Sequence, residues 1–270
     1  MTRTETDLWG CYAAQLGGCF GPLNREHFIS EKLLNEFMEK GGVQVTGFPH
    51  GNESGKPLGV PSIAARVLCT SHNEKLSDVD TEGGHFLKAF FRTHNGLMNE
   101  EFTTEQTYDF KGPLIERWLL KYGCGLIASG QAGVGTQRLQ KSAPPVEFLQ
   151  VLFGLETLPD DWGLYTRPTS ETGVMKRKEL SLGLYLPLQP TGTRHVCGVK
   201  MEHYGFTSIL ALSTPQKPST GTDLEGSHHH PEFFKFSYKP TGRSAVITVN
   251  WPEAKRGVGF TVELNKGDLP

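Results

Sequence analysis

The sequence predicts an α+β protein with an α-rich first part and a β-rich tail, on three observations. Large apolar residues recur at helical spacing between about residues 85 and 130. From Leu180 onward, short β-type runs are separated by Gly, Pro and Ser/Thr. Ahead of both, Cys11, Cys19 and the pair Cys69-x-x-His72 bracket a short apolar strand that carries Glu26-His27. These divide the chain into a module over 1–95, a helical extension over 96–165 and an antiparallel β-rich domain over 166–270.

Leu8 to Cys11 opens the ordered part, and Gly17-Gly18-Cys19-Phe20-Gly21-Pro22 is a tight turn. Arg25 to Ser30 is the first short strand. Ser30 then caps a helix through Lys40, with Leu33, Leu34, Phe37 and Met38 on one face and Gly41-Gly42 as its stop. Gly42 to Phe48 alternates as a strand, and His50 to Pro57 is a loop. Val60 to Cys69 is apolar again and leads to a helical turn from Asn73 through Leu76. Ser77 to Asp80 ends that turn or caps the next helix, and Gly83-Gly84 leads into an apolar helix at His85–Phe91. After a polar link from Asn95 to Thr107, a helix starts at Gly112-Pro113 and continues to Gly130, with Pro in its first turn. Another helix lies around Pro145 to Phe153. The β-type runs are Leu180–Pro187, Arg194–Met201, Tyr204–Leu212, Phe233–Tyr238, Ser244–Trp251 and Val258–Leu264.

The 270 residues are 37% hydrophobic and 21% charged, enough apolar content to build a core rather than remain disordered. No run reaches the roughly 18 apolar residues that span a bilayer, and the polar start has no signal-peptide core, so no membrane contact and a cytoplasmic location are expected. Five cysteines in a chain this long do not make a disulfide framework. A formal charge of −2 argues against broad neutralisation of a phosphate backbone. A nucleic-acid substrate would have to be met by a local contact or delivered by a partner.

Zinc in a structural site takes four Cys or His ligands, commonly as two short-spaced pairs. Cys69-x-x-His72 is one such pair and Cys11-x7-Cys19 a looser second. The alternative is that Cys11 and Cys19 are buried thiols and His72 an ordinary polar residue. Cys124 and Cys197, alone in apolar surroundings, are small core residues.

The ordered set Cys11, Cys19, Arg25-Glu26-His27-x-Ile29-Ser30, then Leu68-Cys69-x-x-His72-Asn73-x-x-Leu76-Ser77-x-x-Asp80, resembles the zinc-binding subgroup of the HNH nucleases, which have the ββα-metal fold. The resemblance covers residues 11–80. It implies a zinc ion on Cys11, Cys19, Cys69 and His72, with His27 as general base for attack of water on a phosphodiester. It also implies that Glu26 and Asn73 hold a catalytic Mg²⁺ or Mn²⁺. The donor chemistry agrees, because hard cations prefer carboxylate and amide oxygens and an imidazole can take a proton near neutral pH. Asp80 is either a further ligand or a helix cap. Glu26 stands where the family more often has Asp, and Leu76 where it has Lys. The expected function is therefore a metal-dependent endonuclease, DNA favoured as substrate, of the kind found in bacterial defence or mobile elements. The C-terminal domain would select substrate or dock a protein partner. The alternative is a noncatalytic zinc-stabilised module that binds nucleic acid or protein.

Other motifs carry less. Gly130 to Gly135 lacks the Gly-Lys-Ser/Thr ending of a phosphate loop. His228-His229-His230 is expected in a solvent loop and Met175 to Lys178 in an exposed linker. Glu116 and Arg117 are expected on a solvated or ion-paired helix face, and Trp251 as a core anchor.

Overall fold

The computed structural model describes residues 10–29, 64–99, 101–131, 140–169, 180–185, 196–212, 224, 226–252 and 257–265, with the backbone of 133–134 and 137–138. The expected helix from Ser30, the strand from Gly42, the loop from His50 and the basic cluster at Met175–Lys178 lie outside the described residues. In chain order the elements are β1 (Leu23–His27), β2 (Ala64–Cys69), α1 (Thr70–Glu74), α2 (Ser77–Met98), β3 (Gln106–Lys111), α3 (Gly112–Ser129), β4 (Gly133–Val134), β5 (Gln137–Arg138), α4 (Val146–Leu152) and β6 (Gly163–Pro168). Then come β7 (Leu180–Tyr185), β8 (Gly198–His203), β9 (Phe206–Ala211), β10 (His228–His229), β11 (Phe233–Tyr238), β12 (Arg243–Asn250) and β13 (Phe260–Leu264).

They form two compact units that interleave along the chain, Met1–Gly84 with Arg117–Leu158, and His85–Glu116 with Pro159–Pro270. These divide the chain differently from three consecutive segments, because the chain passes between units inside α2 and again inside α3.

In the first unit β1 pairs antiparallel with β2, and α1 begins at the residue after β2 ends. Leu68, Leu76, Trp118, Leu119, Tyr122 and Leu149 are fully buried and supply its core. Gly83-Gly84 does not precede a new helix; it lies inside α2, where the absence of a side chain has a packing reason. A Cβ on Gly83 would fall 2.1 Å from Trp118 Cγ, so glycine lets the indole lie against the helix. Gly125 of α3 gives the same close approach to the Phe28 ring. Gly130, at φ +66°, ends α3 by returning its N–H to the carbonyls of Leu126 and Ile127.

The second unit holds a five-stranded antiparallel sheet ordered β10-β6-β9-β8-β7 and a four-stranded sheet ordered β13-β11-β12-β3. The six β-type runs all appear as strands within a few residues of their expected limits. Two pairings depart from the antiparallel expectation, since β13 lies parallel to β11 and β3 parallel to β12. β3 itself fell partly in the expected polar link, because only Phe110 of its six residues is buried. Phe86 and Phe90 of α2 meet Phe206, Phe234 and His203 in edge-on contacts that centre this core. Trp251 anchors the end of β12, donating from Nε1 to the Pro231 carbonyl at 2.8 Å. No described helix is long and apolar enough to cross a membrane.

Candidate metal centre and its surroundings

The four expected zinc ligands come from two places that the backbone ties together. Tyr12 N donates to the Val67 carbonyl, holding the residue beside Cys11 against β2. The knuckle around Cys19 turns on Gly17, Gly18 and Gly21, all at φ between 70° and 76°. Its far side is fixed by Ser71 N donating to the Phe20 carbonyl and Thr70 N to that of Pro22. Cys69 is the last residue of β2 and sits at the N-cap of α1, which places His72 in that helix's first turn.

The result is a compact Cys₃His group that could hold a metal ion such as zinc, with all four ligand atoms within 4.8 Å of one another. His72 Nδ1 lies 3.5 Å from Cys11 Sγ, 3.5 Å from Cys19 Sγ and 3.2 Å from Cys69 Sγ. Hydrogen bonding does not account for this, because one ring nitrogen carries at most one proton and cannot serve three sulfurs. A tetrahedral zinc does, since Zn–S near 2.3 Å and Zn–N near 2.0 Å put the S···N edge at about 3.5 Å. The thiols are not disulfide-bonded. Without an ion, burial and the neighbouring Cys11 push Cys19 up to about 12, and burial pushes Cys11 up too. Burial also raises Cys69, but hydrogen bonds from the His72 and Phe20 backbone and from the Cys11 and Cys19 thiols together outweigh it and leave that thiol below its ordinary value. Burial lowers His72, with the Lys75 charge acting in the same direction, so the imidazole is neutral and able to ligate. Phe153 packs its ring edge-on to His72, centroids 5.2 Å apart, and fixes the imidazole plane.

The expected catalytic residues lie beyond this group. Side chains alternate along β1, so Arg25 and His27 leave one face and Glu26 the other. Glu26 is buried and its Oε1 meets the ammonium of Lys121 in α3. Asp80 contacts the same ammonium at 2.5 and 2.6 Å. Two residues expected on a divalent cation therefore share a lysine, a partner that sequence reading did not single out. Burial raises both carboxyls, and Lys121 opposes that rise in each. His27 is the last residue of β1, partly buried. Asn73 lies in α1 beside His72, and its Oδ1 is buried without a hydrogen-bond partner.

In the second unit, Glu116 takes the paired and not the solvated alternative: it is 5% exposed and accepts from the Leu164 N–H at 2.8 Å, with His230 Nε2 at 2.9 Å. His230 is not in the expected solvent loop, since it is 2% exposed, stacked on His229 and in tilted contact with Trp251. A buried carboxylate needs such partners, and Leu164 of β6 and His230 just after β10 supply them from far along the chain. Among the described residues the Cys₃His set is the group of three or more ligand side chains that fits a metal. No family model matches the chain, and no curated protein or solved structure matches it, so these residues carry the functional argument.

Proposed function

We propose that the module is a metal-dependent endonuclease that hydrolyses phosphodiester bonds of nucleic acid, with DNA as the favoured substrate. The observation that supports this most is the local order of parts. An antiparallel strand pair runs directly into a helix, a Cys₃His group staples that helix to a glycine knuckle, and His27 ends the first strand. Zinc in the staple would be structural, holding β2 and α1 in place.

His27 is the residue to accept the proton of a water whose oxygen attacks phosphorus, as the bond to the leaving oxygen breaks. Asn73 Oδ1, buried and unpartnered, is the oxygen donor that fits a hard cation. Mg²⁺ or Mn²⁺, when bound, would neutralise charge developing on the phosphate. Glu26 could join Asn73 only by sharing its carboxylate with Lys121, which already neutralises it.

That last point favours a second reading, a noncatalytic zinc-stabilised module that binds nucleic acid or protein, in which Glu26 and His27 are structural. Purified zinc-loaded protein separates the two. The nuclease cleaves plasmid, single-stranded DNA or RNA with Mg²⁺ or Mn²⁺, and His27→Ala loses at least about 100-fold of that rate while keeping its zinc. Equal trace cleavage by both proteins sinks the nuclease and leaves the binding module.

A further inference from the structure

Phe20 stands uncovered on the glycine knuckle. It is 80% exposed, the most open large apolar side chain among the described residues. Its backbone is held on both sides. Cys19 before it belongs to the Cys₃His group, and its own carbonyl accepts from Ser71 N at 3.1 Å. After it, the Pro22 carbonyl accepts from Thr70 N at 3.0 Å and from Thr70 Oγ1 at 3.2 Å. Gly21 between the two, at φ +76°, lies so close that a Cβ there would fall 2.8 Å from Thr70 Oγ1. The ring is thus carried open to solvent on a fixed base, which lowers the ordering cost of meeting a ligand. A cation accompanies it. Lys75, exposed at the end of α1, brings its ammonium to 3.9 Å from where a Cβ on Gly18 would stand.

With the module acting on nucleic acid, as proposed above, we infer that Phe20 is a stacking platform for an unpaired base of single-stranded DNA, with Lys75 beside it for the phosphate. A flat apolar face joined to an anion is the chemistry of a nucleotide, and a ring beside a cation complements both parts. An apolar protein groove would use the ring alone. Inside a duplex each base is covered by its neighbours, so an unstacked base is the one that offers its face to a phenyl ring. Every base has such a face, so the contact is insensitive to sequence. The chain's overall charge is −2, so attraction to a polyanion has to be local. Phe20 precedes β1, and His27 ends that strand, about 13 Å beyond Leu23. The platform therefore acts on binding and not on the chemical step.

The test is binding of a fluorescent single strand, and of its duplex, to the zinc-loaded full chain without divalent cation. Wild type should prefer the single strand. Phe20→Ala should bind it at least about fivefold more weakly, and Phe20→Trp at least as tightly as wild type. All three should bind the duplex alike. Lys75→Gln should reduce the slope of log affinity against log salt for the single strand by about 0.7. Both side chains are exposed, so zinc content and melting temperature stay at wild-type values. In cleavage of single-stranded DNA, Phe20→Ala should raise KM and leave kcat unchanged. Phe20-dependent binding without any cleavage keeps the platform and overturns the nuclease. Phe20→Ala with wild-type affinity for the single strand, in a protein that cleaves in a His27-dependent way, overturns the platform and leaves the nuclease standing. A wild-type chain that neither binds nor cleaves nucleic acid overturns both, and a dimer that Phe20→Ala dissociates would assign the ring to a second copy instead.

Discussion

Lys121 of α3, 1% exposed, places its ammonium on the Glu26 carboxylate of β1, so a strand and a helix far apart in the chain are joined through one buried charge pair. Asp80 of α2 completes the arrangement from a third element. One cation faces two carboxylates, which makes the lysine the member whose loss is most costly. Lys121→Met leaves the buried Glu26 and the partly exposed Asp80 without a counter-charge and should destabilise the protein by about 3 kcal/mol in urea at pH 7. The double variant Lys121→Met/Glu26→Gln should recover part of that loss. A change below about 1 kcal/mol would show that the three groups are already solvated.

The same triad has a pH signature. Burial raises Glu26 and Asp80, and Lys121 pulls both back down. An acid whose folded value is raised keeps its proton where the unfolded chain has lost it, so ionising it costs stability as pH rises. With the lysine gone that cost is larger. Lys121→Met should therefore be closest to wild type in acid and fall behind as pH rises above about 4. Parallel stability curves for the two proteins between pH 4 and 7 would contradict this.

Zinc should be present at one per chain, and its removal should unfold the first unit, because the Cys₃His group joins the knuckle to β2 and α1. Cys69→Ser should abolish stoichiometric zinc. Cys124→Ser, at a buried thiol outside the group, should keep it while costing packing energy. Elemental analysis and circular dichroism before and after chelation report both effects, and an unchanged spectrum on chelation would remove zinc from the fold.

The metal group was legible in the sequence because its residue types are few, chemically distinctive and close in two pairs. The β-type runs of the tail were legible because they are short, rich in β-branched and aromatic residues, and separated by Gly, Pro and Ser/Thr. Pairing was not, and β3 shows why. Gln106 to Lys111 is a mostly polar edge strand whose partner, β12, lies far along the chain. Lys121 was equally hidden, because a lysine in an apolar helix reads as the solvent side until its carboxylate partners are placed beside it. Gly83-Gly84 looked like a break because local propensity disfavours glycine in helices, and the Trp118 contact that favours it is a tertiary one. Glu26 and His27 leave opposite faces of β1, as strand alternation requires of neighbours.

Asn73 offers a separation of stability from activity. Its Oδ1 is buried and unpartnered, which costs folding energy that a ligand would return. Asn73→Leu should leave stability within about 1 kcal/mol of wild type, or raise it. Under the nuclease proposal it should also lose divalent-cation-dependent cleavage. Undiminished cleavage in Asn73→Leu would remove this residue from the cation.

His203 sets the acid limit of the second unit. It is 1% exposed, ringed by Phe86, Phe90, Phe206 and Phe234, and its Nε2 bonds Ser208 Oγ at 3.0 Å while Nδ1 has no partner. Ser208 Oγ in turn meets Thr166 Oγ1 at 2.9 Å, so the imidazole closes a short polar chain inside an aromatic core. Burial holds its pKa down at about 3. In the unfolded chain a histidine protonates near 6.5, so below that pH the unfolded state binds a proton that the folded state refuses. Stability should fall as pH drops from about 6.5 toward 3, with His203 contributing a slope of up to about 1.4 kcal/mol per pH unit. His203→Gln keeps a polar group on Ser208 but does not titrate, so its stability should depend less on pH across that window. If urea denaturation at pH 7, 6, 5 and 4 gives wild type and His203→Gln the same dependence, the buried imidazole is not the group that limits stability in acid.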